Sequence, residues 1–266
     1  VRANASWRPA RSRPRPAAVP AVLAALVLCL WAPPGAAAAG AEECVPEIAP
    51  DTGEGADRLL TLVREERAAG GDAARVDRLL AEVACLTPAD APRERGTVPP
   101  ADGLTVAPPE VYSLGEVAGR ERWLALTEWE WSTLPDHPMT GDQAVATWFD
   151  VPVTPVLQVV HHSGATDAFP NVSREDAADV NGYGVGFLIA PERNAEDMNV
   201  ALGSVALVFE TESCTPLTAR GAFAHAWNDT GVDALSVTAT GVSYTWNAPV
   251  DRALNESGPT GVTVCP

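Results

Sequence analysis

No lysine occurs anywhere in the 266 residues, so all 18 basic residues are arginine. With its abundance of alanine and a valine at position 1, where a GTG start codon would place it, the chain carries the codon usage of a GC-rich bacterial genome. That absence speaks to origin, not to mechanism. Acidic residues are missing from the first forty positions, where Arg2, Arg8, Arg11, Arg13 and Arg15 precede an apolar stretch. Also missing are CxxC, a phosphate-binding loop, a dinucleotide fingerprint, a G-x-S-x-G elbow and any zinc-ligand spacing, which removes the motif-borne routes to disulfide exchange, nucleotide chemistry, serine hydrolysis and zinc catalysis. The apolar run over 17–32 contains Pro20 and falls short of the roughly 20 residues that a membrane-spanning helix needs.

What the first forty residues do contain is a basic segment, an apolar core over 21–31, the helix-breaking Pro33-Pro34-Gly35 and small residues suited to an A-x-A cut at 37–40. This is the order of a secretory signal peptide, expected to span 1–40 and to be removed, so that an exported, extracellular chain begins near Ala41. Losing its five arginines takes the net charge from −17 to −22. A surface so acidic repels nucleic acid and anionic lipid headgroups, and neither is expected as a partner.

Five cysteines are present. Cys29 lies in the leader core, and Leu28 and Leu30 beside it do not make the small-residue context of a lipidated cysteine. Cys44, Cys85, Cys214 and Cys265 remain, an even set that in an exported chain implies disulfides and allows three pairings. Two fall in the N-terminal third and two in the C-terminal third, so the expected bridges are the local ones, Cys44 with Cys85 and Cys214 with Cys265.

Over 53–86 the apolar pattern is helical. Leu59, Leu60 and Val63 form one face; Val76, Leu79, Leu80, Val83 and Leu86 form a second after the Gly70-Gly71 break, with Asp72 placed to cap it. We expect a helical hairpin over 41–87. The segment 88–110, with Pro88, Pro92, Pro99, Pro100, Pro108 and Pro109, reads as an extended linker that spaces the hairpin from the C-terminal part of the chain. Over 111–266, short runs rich in Val, Leu, Trp, Phe and Thr occur at 122–132, 145–150, 153–160, 185–189, 204–211, 221–227, 234–239, 242–247 and 261–264, separated by turn residues. The fold class expected is mainly β, an antiparallel β-sandwich or jelly-roll-like domain preceded by the helical hairpin. The clearest β-hairpin spans 234–247 and turns at Thr240-Gly241.

Four groups of residues carry candidate chemistry. Trp129 and Trp131 share one face of a strand, with Glu128 and Glu130 on the other; paired indoles beside carboxylates suit a sugar platform, while strand alternation alone would put the indoles in the core. Asp176, Asp179 and Asn181, together with Glu192, Asn194, Glu196, Asp197 and Asn199 further along, supply the oxygens a structural calcium ion would want, although not at the spacing of a twelve-residue calcium loop. Otherwise no cofactor is implied. His161 and His162 point to opposite faces if they lie on a strand, and His162-Ser163 lacks the surroundings of a base beside a nucleophile. His225, between Phe223 and Trp227 on one strand face, reads as a packed histidine.

The function these features favour is non-catalytic: an exported binding or adapter protein whose partner is an extracellular protein or a cell-envelope polysaccharide. Two alternatives remain open. One is a carbohydrate-active hydrolase using two carboxylates roughly 5–10 Å apart. The other is a protease inhibitor presenting the Pro-containing segment 134–140 or 151–155.

Overall fold

The structure, a computed structural model, describes residues 44–90 and 103–266. The leader expected at 1–40 and the greater part of the proline-rich segment lie outside the described residues. Helix α1 (Gly53–Ala68) begins at Thr52, whose hydroxyl accepts from the Gly55 amide at 3.1 Å. A Cβ on Gly55 would lie 1.8 Å from the Ala49 carbonyl oxygen, so only glycine fits there. Helix α2 (Ala73–Ala84) is capped by Asp72, which accepts from the Arg75 amide, and it ends at Cys85 in the left-handed conformation, φ 56°. Cys85 is bridged to Cys44, and Cys214 to Cys265.

The rest of the described chain is strands and their connections. In order, the strands are β1 (Thr87–Pro88), β2 (Leu104–Val106), β3 (Glu110–Val117), β4 (Arg120–Trp131), β5 (Gln143–Phe149), β6 (Thr154–Ser163) and β7 (Ala177–Asn181). After these come β8 (Gly184–Ile189), β9 (Leu202–Glu210), β10 (Thr215–Ala226), β11 (Val232–Thr238), β12 (Gly241–Trp246), β13 (Arg252–Glu256) and β14 (Thr260–Val264). The first sheet has the order β1-β3-β4-β9-β6, with β2 also on β4; the second has the order β13-β10-β5-β8-β7, with β14 also on β10. Strands β11 and β12 form a separate hairpin, and every ladder between named strands is antiparallel. The expected β-sandwich is therefore present, with an added layer on the outside of each sheet.

Alternation along β4 explains the layering. Its odd residues Trp123, Ala125, Trp129 and Trp131 enter the core between the sheets with Val205, Leu207, Phe149, Phe187 and Phe223. Its even residues Leu124 and Leu126 point the other way and join Tyr112, Ala206 and Val208 beneath Leu59, Leu60, Val63, Val76 and Leu80 of the helices. A strand covered on both sides loses its polar alternation, which is why residues 123–127 read as a continuous buried run. On the outside of the second sheet, Ala144, Ala146, Ala222 and Ala224 lie beneath Val232, Leu235 and Val237 of the β11–β12 hairpin. Small residues let this hairpin sit close, and a Cβ on Gly186 would meet Leu235 at 2.2 Å.

Two expectations are corrected. The helical hairpin is not spaced away from the sandwich: its apolar faces share one core with β3, β4 and β9, and residues 44–266 form a single compact unit. Two short amphipathic helices cannot bury their apolar stripes against each other alone, so the sheet completes them. Residues 177–181, which fall among the turn residues expected between the runs at 153–160 and 185–189, are the edge strand β7, whose half-exposed polar residues hide its pairing with β8.

Candidate functional site

The ladders β4·β9 and β9·β6 place Glu128 opposite Ser204 and Ser204 opposite His161; one row on, Glu130 stands opposite Leu202 and Leu202 opposite Ser163. These residues occupy the face of the first sheet that bears Leu124 and Leu126, the one α1 covers. The last two turns of α1 bring Arg64 and Arg67 over the rows. Between helix and sheet lies a cavity of about 360 Å³, within the range of roughly 300–1,000 Å³ usual for small-molecule sites. Its walls are mostly apolar, with Leu202 and Gly203 among them, and Arg64, Arg67, Glu128 and Glu130 bring charge to it.

Each polar group has a definable state. Arg67 grips Glu128 with two nitrogens, Nη2 at 2.7 Å and Nε at 3.2 Å from Oε2, and lies 3.7 Å from Glu110. Burial works against the Arg67 charge, but the bond to Glu128 outweighs it and raises the guanidinium above its ordinary range. Asp57 on α1 accepts from His161 Nε2 at 2.6 Å and from Arg174 Nε at 2.7 Å. Burial alone would raise the Asp57 carboxyl; the bonds from Arg174 and His161 overcome that and hold it below the usual carboxylate value. Burial lowers His161, which is 3% exposed, and the guanidiniums of Arg174 and Arg64 add to this against the pull of Asp57. Arg174 supplies the positive charge beside Asp57, so His161 bonds as a neutral donor through Nε2. Its Nδ1 then carries a lone pair, buried without a hydrogen-bond partner. His162 turns to the opposite face, as adjacent strand residues must, with Nδ1 donating to the Asn199 carbonyl at 2.9 Å. The Ser163 hydroxyl donates to the Gly164 carbonyl, so no base-to-nucleophile hydrogen bond links it to either histidine.

The other expected residues fall elsewhere. Trp129 and Trp131 are 3% and 4% exposed. Trp129 donates its indole N–H to the Val200 carbonyl at 3.0 Å and packs 5.4 Å from Phe223, centroid to centroid; a Cβ on Gly203 would lie 2.1 Å from its ring. The pair belongs to the core between the sheets and is not an aromatic platform, whereas Glu128 and Glu130, on the other side of the strand, line the cleft. Asp179 Oδ2 accepts from the Val237 amide and from Asn181 Nδ2, while Asn181 also bonds the Val237 carbonyl and the Tyr183 amide. These two residues clip β7 to β11, Asp176 is exposed, and among the described residues no group of three or more His, Cys, Asp or Glu is placed to hold a metal ion. In the second oxygen-rich stretch Asp197 accepts from the Ala165, Thr166 and Met198 amides and the Thr166 hydroxyl, and Asn199 from the Glu192 amide. Side-chain oxygens of Asp179, Asn181, Asn194, Asp197 and Asn199, offered for calcium, accept from the protein's own backbone amides. His225 packs edge-on to Trp131 and beside Trp227, on which His137 stacks. In the segment 134–140, Met139 is buried and the His137 carbonyl accepts from Arg193; in 151–155, Val153 is buried and its amide bonds Gly182.

Sequence reasoning passed over Asp57, Arg64 and Arg67. Asp57 and Arg64 are seven residues apart, hence on one stripe of α1, but nothing local says that this stripe meets a histidine 104 positions further on.

No protein-family model matches the chain, and no curated protein is similar to it. Among solved structures, the chain is similar to ACE19, the collagen binding subdomain of the Enterococcus faecalis surface protein ACE: 9% identity and a TM-score of 0.30, covering 62% of this chain and 99% of that one. It is also similar to AvmM, which catalyzes macrocyclization in alchivemycin A biosynthesis, at 9% identity and a TM-score of 0.25, covering 59% of this chain and 90% of that one. At these values neither likeness bears on ligand or activity. The class defined here is an antiparallel β-sandwich with a disulfide-tied helical layer. No described helix is long and apolar enough to cross a membrane.

Proposed function

We propose that the chain is an exported, non-catalytic binding protein that takes a cell-envelope glycan in the cleft between α1 and the first sheet. The observation that carries this reading is the cleft itself, whose mostly apolar walls carry charged groups of both signs. Sugars present a C–H face that packs on apolar surface and a periphery of hydroxyls that donate to carboxylates and accept from guanidiniums. The leader pattern supports export, and two disulfides are consistent with an oxidising compartment. Hydrolysis is disfavoured by the two-pronged hold of Arg67 on Glu128, which suits a permanently ionised carboxylate and not a general acid that must carry a proton.

Thr105, exposed on β2 at the rim, gives the test. In calorimetric titration with solubilised cell-envelope glycan, Thr105→Trp should obstruct the cleft and weaken binding about tenfold or more, with melting unchanged. Unaltered binding by that variant, or turnover of the glycan by the unmodified protein, would overturn the reading.

A further inference from the structure

Two arginines one helical turn apart face the cleft, and they differ in a way that bears on the ligand. Arg67 is fully engaged: its Nε–Nη2 edge holds the Glu128 carboxylate. Arg64 makes no ion pair among the described residues, and its Nε is buried without a hydrogen-bond partner. In a chain with 35 acidic and 18 basic residues, a partly buried guanidinium left without a carboxylate is unusual, because carboxylates outnumber basic groups about two to one. Facing it across the cleft, His161 offers the lone pair of Nδ1, also buried and without a partner. An unused charged donor and an unused neutral acceptor therefore line the same cavity.

We infer that the cleft binds a carboxylate-bearing sugar, with the carboxylate on Arg64 and a ring hydroxyl donated to His161 Nδ1. This rests on the glycan reading above and narrows it to acidic sugars. The side edge of a guanidinium, Nε–H together with one Nη–H, matches the two oxygens of a carboxylate, and Arg67 uses that edge on Glu128 in the same cleft. A neutral sugar would leave the Arg64 charge without a counter-ion. A dianionic phosphate would meet greater repulsion from Glu130, whose exposed carboxylate makes no ion pair among the described residues and lines the same cavity. Glu130 and Ser204 remain as partners for the other hydroxyls.

Matched pairs of sugars test this: N-acetylglucosamine against N-acetylmuramic acid, and glucose against glucuronate, each titrated into the purified full-length chain. The carboxylated member of each pair should bind about tenfold more tightly than the neutral one. Arg64→Gln should erase that preference, bringing the two members of each pair to equal affinity with the melting temperature unchanged, and Arg64→Lys, which keeps the charge but loses the fork, should retain part of it. Equal affinity within each pair, or a preference that survives Arg64→Gln, overturns the inference. If both members bind equally and Thr105→Trp abolishes both, the glycan reading stands and the carboxylate assignment falls; if no sugar binds, both fall.

Discussion

The sandwich wears a different layer on each outer face. Over the first sheet lie two helices, seated on Tyr112, Leu124, Leu126 and Val208 and tied at one end by Cys44–Cys85. Over the second lies the β11–β12 hairpin, seated on four alanines and clipped by Asp179 and Asn181 to Val237. A hairpin is itself a flat ribbon, and above small side chains it follows the sheet beneath it. A helix is a rod about 10 Å across that touches a sheet along one stripe and leaves the sheet beside its end uncovered. The charged rows Glu128–Ser204–His161 and Glu130–Leu202–Ser163 begin where the apolar seat of α1 ends. The comparison teaches that the cleft follows from the shape of its covering layer, with the polar residues set beside the apolar stripe on which the rod sits, where Asp57 and Arg67 of α1 reach them.

If the helices are an integral layer, their removal should have the largest effect. A fragment of residues 103–266 would expose the apolar patch around Leu124, Leu126 and Val208, and we expect it to associate or to bind an apolar dye, with loss of a cooperative melt. A monomeric fragment melting like the full chain would make the helices an accessory.

Single truncations sharpen the contrast between the layers. Leu60, fully buried between helix and sheet, should cost about 3–5 kcal/mol on replacement by alanine; Leu235, 9% exposed under a thin hairpin, should cost about 2 kcal/mol. Denaturant titration of Leu60→Ala and Leu235→Ala measures both, and equal losses would remove the distinction between a deep helical seat and a shallow hairpin seat.

Acid should loosen the helical layer by smaller steps. The folded value of His161 is lowered, so the stability it contributes as a neutral group is complete above about pH 6.5, the ordinary histidine value, and is lost as pH falls toward the folded one. Asp57 is also lowered: its contribution is complete above its ordinary value of 3.8 and is lost below that as the folded carboxyl protonates. Urea midpoints should therefore fall from pH 8 to pH 5 through His161 and fall again toward pH 3 through Asp57. His161→Gln should flatten the first decline and Asp57→Asn the second. An unchanged pH profile in both variants would show that the Asp57–His161 contact does not fasten the helix.

Much of the fold is legible from local pattern. The two helices follow from 3.6-residue periodicity and from Asp72 after Gly70-Gly71; the disulfides from the position of four cysteines in the chain; the β11–β12 hairpin from alternation around Thr240-Gly241. Strands with weak patterns were not legible: β7 is short, polar and at an edge, and β3 is interrupted by Gly115 at φ 75°, where its register with β4 shifts. Of the cleft, Glu128, Glu130, His161, His162 and Ser163 are in view from the sequence, the glutamates beside the wrong partners. Alternation along a strand determines which residues share a face, and so it separated the glutamates from the tryptophans. It does not determine what covers each face. The sequence by itself specified the two helices with their caps, most of the longer strands, the disulfide bridges and the two sides of β4. Only the tertiary structure decided that the indoles are core, that α1 lies over the glutamates, and that Arg64, Asp57 and His161 meet, because those outcomes depend on strand register and helix docking between residues far apart in the chain.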